Sequence, residues 1–161
     1  MSVPSTSRTA QETADRAAAV MWANDRATRD QGIEIESVGP GRAVLAMTIG
    51  PDMTNGHDTA HGGFIFMLAD SAFAYACNTY GEIAVAAQCS ITYVRPGKRG
   101  DRLVATAREI SRTGRSGIYD VSVARDGVTI AEFRGHSRTI GGSFIDAVSE
   151  APQSDRKNKN V

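Results

Sequence analysis

The chain has 161 residues, 41% of them hydrophobic, with 18 basic and 18 acidic side chains and no formal net charge. That length suits one domain around one core, and the charge balance argues against a general nucleic-acid binder, which needs a basic surplus to meet phosphates. No run reaches the roughly 18 or more apolar residues that span a bilayer; the most apolar, Phe64 to Cys77, is shorter and carries Asp70 and Ser71.

Residues 1–10 are small and polar and are expected to be flexible, with no apolar signal core, so the cytoplasm is the expected location. Residues 11–29 predict a helix. Ala17, Val20, Met21, Ala23, Asn24 and Ala27 fall near helical spacing, and Gly32 follows the end. Trp22 within it reads as a packing anchor. Strands are expected over Ile33 to Val38 and Arg42 to Ile49, with Pro40-Gly41 as the turn. The second of these is apolar on both faces, as in a strand covered on both sides.

A loop, Pro51 to Ala60, leads into His61-Gly62-Gly63. From Phe64 to Cys77 the helical wheel is apolar all round except at Asp70 and Ser71, which predicts a buried helix about 25 Å long counted from its glycine start. Four strands should follow, at 83–95, 101–111, 117–125 and 128–139. Pro96-Gly97 and Gly114 punctuate them, and Asp126-Gly127 is a two-residue hairpin signal. Residues 141–161 are polar, without pattern at the end, and are expected to be disordered. The domain is thus 11–140, an α+β fold in which a strongly curved antiparallel sheet wraps a long central helix. Cys77 and Cys89 lie in apolar surroundings and read as reduced packing residues.

Asp70 is the most informative residue. A carboxylate in an apolar helix is costly to bury unless paired or protonated. Desolvation raises its pKa, and such acids cluster at functional sites. Burial alone fits a structural aspartate bonded to a nearby amide equally well. Gly62 and Gly63 add to the functional reading. They open the helix, where backbone N–H groups lack intrahelical partners, and amides at a helix start can hold an oxyanion. Gly62 and Asp70 are eight residues apart, about 12 Å along one helix. A carboxylate acts within roughly 3 Å of its target or through one water. If both groups serve one carbonyl, they must come from two chains, as in a two-fold dimer with antiparallel central helices.

Asn55-Gly56-His57-Asp58-Thr59-Ala60-His61-Gly62-Gly63, followed by Leu68-Ala69-Asp70-Ser71-Ala72, resembles the signature of the hotdog-fold acyl-CoA thioesterases of the phenylacetate-pathway (PaaI) type. Ala74-Tyr75-Ala76-Cys77-Asn78 and Tyr93-Val94-Arg95-Pro96-Gly97 extend the likeness, which covers residues 15 to 140. The resemblance implies a hotdog fold and hydrolysis of an acyl-CoA thioester, with aryl-acetyl groups such as phenylacetyl or hydroxyphenylacetyl as the implied cargo. It implies Asp70 as nucleophile or general base, and Gly62 as the amide polarising the thioester carbonyl. Asn55 would help hold the acyl group or water, and His61 would support the thioester. Some relatives place water with a Ser or Thr on the strand after the helix; here that position holds Ala86, and Gln88 is the candidate substitute.

The resemblance also implies a homo-oligomer, a dimer at minimum and a tetramer as the expected assembly. Coenzyme A is part of the substrate and no cofactor is implied. No metal is expected: His57 and His61 are four apart, but no zincin Glu and no third ligand accompany them. Arginines suit the phosphates of coenzyme A; Arg112 and Arg115 are the first candidates and Lys98, in a turn with Arg95, Arg99 and Arg102, the next. Gly63, Phe66 and Phe73 complete the expected substrate contacts, the two rings being four and three residues from Asp70. Two alternatives remain at this point: a hotdog enoyl-CoA hydratase, and a non-catalytic acyl-CoA binding protein.

Overall fold

The structure, a computed structural model, describes residues 7–146. Residues 1–6 and 147–161, where most of both expected flexible ends fall, lie outside the described residues. Helix α1 (Ala10–Asn24) begins on a reciprocal cap: the Glu12 N–H donates to Thr9 Oγ1 at 3.1 Å, and the Thr9 N–H donates to the Glu12 carboxylate at 2.7 Å. The single helix expected over 11–29 is broken at Asp25. There Oδ1 accepts the Thr28 N–H at 3.1 Å, which starts a short α2 (Arg26–Asp30), and Oδ2 accepts the Tyr75 hydroxyl at 3.2 Å. An aspartate side chain competes with the helix for backbone donors. Trp22 packs beside Tyr75, ring centroids 6.5 Å apart, as the anchor it was expected to be.

Strands β1 (Glu34–Gly39) and β2 (Arg42–Thr48) form a hairpin. The central helix α3 (Gly62–Cys77) follows, then β3 (Glu82–Tyr93), β4 (Arg102–Thr113), β5 (Ser116–Arg125) and β6 (Val128–Ser143). They make one antiparallel sheet in the order β1-β2-β4-β5-β6-β3. Asp126 and Gly127, at φ 49° and 77°, turn β5 into β6 as predicted. β6 continues past Thr139 because β3 extends alongside it to Glu82, opposite Ser143. Gly141 and Gly142, at φ 90° and 88°, take up the extra length.

This is the hotdog fold. The concave face of the sheet presents Leu45, Leu103, Val121, Ile130 and Phe133 to Leu68, Ala72, Phe73 and Ala76 of α3, all nearly inaccessible to solvent. The Phe73 ring lies directly on the backbone of β6 at Gly135, where an added Cβ would meet it at 2.7 Å. Gly135→Ala should therefore cost about 1–3 kcal/mol through overpacking, read as a lower denaturant midpoint with an unchanged slope.

The helix was expected to be buried on every side, and one stripe is not. Gly63 is exposed, and Phe66, Met67, Asp70 and Ala74 keep partial exposure at helical spacing. Among the described residues the sheet covers α3 from one side only, and β3, the neighbouring edge strand, has no partner on its outer side. Val85 and Tyr93 on that strand are 43% and 48% exposed.

Candidate active site

The loop before α3 is organised by Asn55. Its Oδ1 accepts the His57 N–H at 2.9 Å, the Thr59 N–H at 3.3 Å and the Thr59 hydroxyl at 3.1 Å. Asp58, at φ 57°, completes the turn. The carbonyl oxygen of Asn55 is thus committed to holding the loop, and its Nδ2 is the end left to face a substrate or water. The loop delivers His61 as the N-cap of α3. His61 Nδ1 accepts the Gly63 N–H at 2.9 Å, and its backbone carbonyl accepts the Phe64 N–H at 3.0 Å. An imidazole accepting at Nδ1 carries its proton on Nε2 when neutral, so Nε2–H is the group turned away from the backbone. Gly62, the first helical residue, has no intrahelical acceptor for its N–H.

Asp70 sits on the open stripe of α3, half-buried. Burial holds its carboxyl above the ordinary carboxylate range, and a hydrogen bond from Cys89 pulls it part of the way back. The Cys89 thiol, on β3, donates to Asp70 Oδ1 at 3.7 Å. Its own pKa is pushed up to about 11, first by burial and then by the Asp70 charge, so it remains a donor at neutral pH. Cys89 is therefore more than a packing residue. Cys77 is the packing residue expected: buried, with a thiol pushed up to about 12, mainly by burial.

Beside Gly62 lies a cleft of about 360 Å³, lined by Ala60, Ile65, Tyr93, Pro96 and Gly97 among others. The Tyr93 hydroxyl donates to the Gly62 carbonyl at 2.8 Å. Asp70 does not line this cleft. Within one chain, the acid and the glycine amide lie at separate places on α3.

Some expected contacts fall elsewhere. Phe73 was expected to line a pocket; its ring is instead in the core, between Tyr119 and Phe133 at centroid distances of 5.7 and 5.8 Å. From Asp70 the open stripe runs back to Met67 and Phe66 and on to Ala74, and Phe73 falls on the sheet-covered side of it. Phe66 stays on that stripe, edge-on to Phe133 at 5.4 Å. Gln88 was the substitute for a water-positioning hydroxyl. Cys89 points at Asp70, so Gln88, one residue earlier on the same strand, points to the other face of the sheet.

The basic candidates separate into two groups. Lys98 is beside the site loop, its backbone bridged to Thr59, with its N–H donating to Asp101 at 2.7 Å. Arg112 and Arg115 stand near the opposite end of α3, by Cys77 and Tyr80. Arg112 lies over the Tyr80 ring at 3.7 Å, and Arg115 holds the Thr139 carbonyl through two nitrogens at 2.9 and 2.7 Å. Sequence reasoning did not single out Cys89 and Tyr93, which contact the candidate residues Asp70 and Gly62. Alternation along β3 places residues 89, 91 and 93 on the helix-facing side, a signal that becomes useful only once the strand's register is known.

A model of the thioesterase superfamily matches residues 57–131. Acyl-coenzyme A thioesterase PaaI of Escherichia coli (strain K12) is 46% identical over 125 residues, covering 77% of this chain and 89% of that protein. The structure of the E. coli PaaI protein from the phenylacetic acid degradation operon matches with a TM-score of 0.82 at 43% identity, over 84% of this chain and 99% of that one. A Streptococcus mutans UA159 protein solved bound to acetyl CoA matches with a TM-score of 0.66 at 26% identity, over 69% of this chain and 90% of that one. The chain belongs to the thioesterase superfamily. Within it, the chain is a hotdog-fold thioester hydrolase of the PaaI type.

Proposed function

We propose that this enzyme hydrolyses aryl-acetyl-CoA thioesters, such as phenylacetyl-CoA or hydroxyphenylacetyl-CoA, to the free acid and coenzyme A, at sites shared between two copies of the chain. The observation that carries the reading is the placement of Asp70. It is a half-buried carboxylate with a raised pKa, on an open helix stripe, eight residues from an amide suited to an oxyanion. The E. coli relative's name and operon support the acyl-CoA and aryl-acetyl parts; the acetyl CoA-bound relative supports recognition of the nucleotide end.

The proposed reaction calls for a partner. Along one α3 the two groups are about 12 Å apart, beyond the reach of an aspartate. A second copy, antiparallel and related by a two-fold axis, brings its Gly62 to Asp70 and the reverse. Phe66, midway between them, then lies at the axis. The same approach covers the open stripe and gives the outer edge of β3 a strand to pair with.

In the reaction, Asp70 removes a proton from water as it attacks the thioester carbon, or attacks that carbon itself and forms an acyl-aspartyl anhydride that water then cleaves to the free acid, restoring the carboxylate. The Gly62 amide of the second copy stabilises the oxyanion. The C–S bond breaks, and the thiolate leaves and takes up a proton. Neither route calls for a metal or redox cofactor. Lys98 beside the cleft, with Arg112 and Arg115 farther off, are the candidates for the phosphates. We place the enzyme in the cytoplasm, as a dimer at minimum and a tetramer by the resemblance.

Thiol release measured with a thiol-reactive dye tests this. Phenylacetyl-CoA and its hydroxylated analogue should exceed acetyl- and palmitoyl-CoA by at least about tenfold in kcat/KM, the discrimination one well-filled apolar pocket gives. Hydration of crotonyl-CoA without thiol release would favour the hydratase alternative. Preference for palmitoyl-CoA would overturn the aryl-acetyl assignment.

A further inference from the structure

We infer that Tyr93 is a positioning residue for the oxyanion-holding amide. It holds the Gly62–Gly63 peptide from one side while His61 holds it from the other, which fixes the Gly62 Cα and through it the direction of the Gly62 N–H, on the preceding His61–Gly62 peptide, as the amide presented to the thioester. The inference rests on the thioesterase reading above and assigns a further residue to it.

Two consecutive glycines at a helix start are a poor foundation for a precise donor. Glycine has the largest backbone freedom to lose, and an oxyanion hole works only if its dipoles are fixed before the reaction. The structure restrains this pair through a single peptide unit. The Gly62 carbonyl accepts the Tyr93 hydroxyl at 2.8 Å, and the Gly63 N–H, on the same peptide, donates to His61 Nδ1 at 2.9 Å. The hydrogen bonds run in one direction, from the Tyr93 hydroxyl through the peptide to the imidazole. Such chains polarise their members and strengthen one another. The Tyr93 ring also closes over the Gly62 Cα, where an added Cβ would meet ring and hydroxyl atoms at 3.0 Å. The peptide can neither swing toward the cleft nor rotate without losing a partner.

The same contacts select the donor. Of the opening amides of α3, Gly63 is used by the His61 ring and Phe64 by the His61 carbonyl at 3.0 Å. Gly62 has no acceptor in the helix or, among the described residues, outside it. Tyr93 belongs to the edge strand that also presents Cys89 to Asp70. One strand therefore steadies the acid of its own chain and the amide that its own chain lends to the other site.

Tyr93→Phe tests the inference, because it keeps the ring over Gly62 and removes only a hydroxyl on a half-exposed side chain. For the best acyl-CoA substrate, kcat should fall about 3- to 10-fold, as expected for one neutral hydrogen bond. KM and Tm should stay close to those of the parent enzyme. A second readout follows the carbonyl directly. In an Asp70→Asn background, the infrared carbonyl stretch of bound acyl-CoA should lie below its solution value. Adding Tyr93→Phe should move it part of the way back. Unchanged kcat and an unchanged stretch in the Phe variant would overturn the role of Tyr93. A parent enzyme that releases no thiol from any acyl-CoA would instead overturn the thioesterase reading on which it rests.

Discussion

Asp70→Asn should lower kcat by about 10²- to 10⁴-fold, the range over which a positioned proton-transfer group contributes, while the oligomer and the fold persist. Asparagine has nearly the same shape, so the Cys89 thiol keeps an oxygen to donate to. What is lost is the negative charge that either attacks the thioester or takes a proton from water. The pH profile should identify the group independently. Asp70 must be ionised to act and its carboxyl is held above the ordinary range, so kcat/KM should climb with pH through a limb above that of an exposed aspartate. Folding stability should move the other way. A carboxyl raised in the folded state holds its proton more tightly than in the unfolded chain. Its stabilising contribution is complete below the unfolded pKa and is lost as pH rises through the folded one. The asparagine variant has no such loss. Its Tm relative to the parent enzyme should therefore increase from acidic to neutral buffer. Turnover at the parental rate in the asparagine variant would remove Asp70 from the mechanism.

Met67→Glu should abolish both assembly and activity. Met67 lies on the open stripe, one residue from the proposed two-fold axis, so each dimer would bury two carboxylates close to one another. Breaking or burying charge without a partner costs roughly 3–5 kcal/mol per group, enough to weaken association at least about 10³-fold. Light scattering should show a monomer with native circular dichroism, since the side chain is already partly exposed. Thiol release should disappear although Asp70, Gly62, His61 and Asn55 are all intact. A monomer that retained full activity would show that one chain suffices, and the shared-site geometry would fail.

Much of this architecture is legible in local chemistry. The Asp126-Gly127 turn, the apolar run of α3 and the glycine pair before it each dictate their structure within a few residues. The break at Asp25 was not legible. It depends on Tyr75, fifty positions away, whose hydroxyl secures the second carboxylate oxygen that capping leaves over. The fate of Phe73 depends likewise on Gly135, whose missing side chain makes room for a ring on another element. Its spacing from Asp70 gives proximity along the helix but not which side the sheet covers. Gln88 was misread because its orientation follows from the register of β3, set by pairing with β6 and by a bulge after Ala86. Asp70 and Gly62 stand out as candidates in the sequence because a charge in an apolar segment and a bare amide at a helix start are conspicuous in any fold. Tyr93 and Cys89 were not, because a tyrosine or cysteine in a strand carries no mark of what lies across from it.

The outer margin of β3 has one further consequence. Over Glu82–Tyr93 its only formal charge is the glutamate at the start, and it contains no proline or lysine. Strands left bare on one side are usually guarded by such residues, because exposed main-chain groups template the addition of foreign strands. A newly synthesised copy that finds no mate thus displays an adhesive ribbon to everything around it. Under the proposed pairing, low expression or dilution during refolding should favour precipitate over a quiet single subunit.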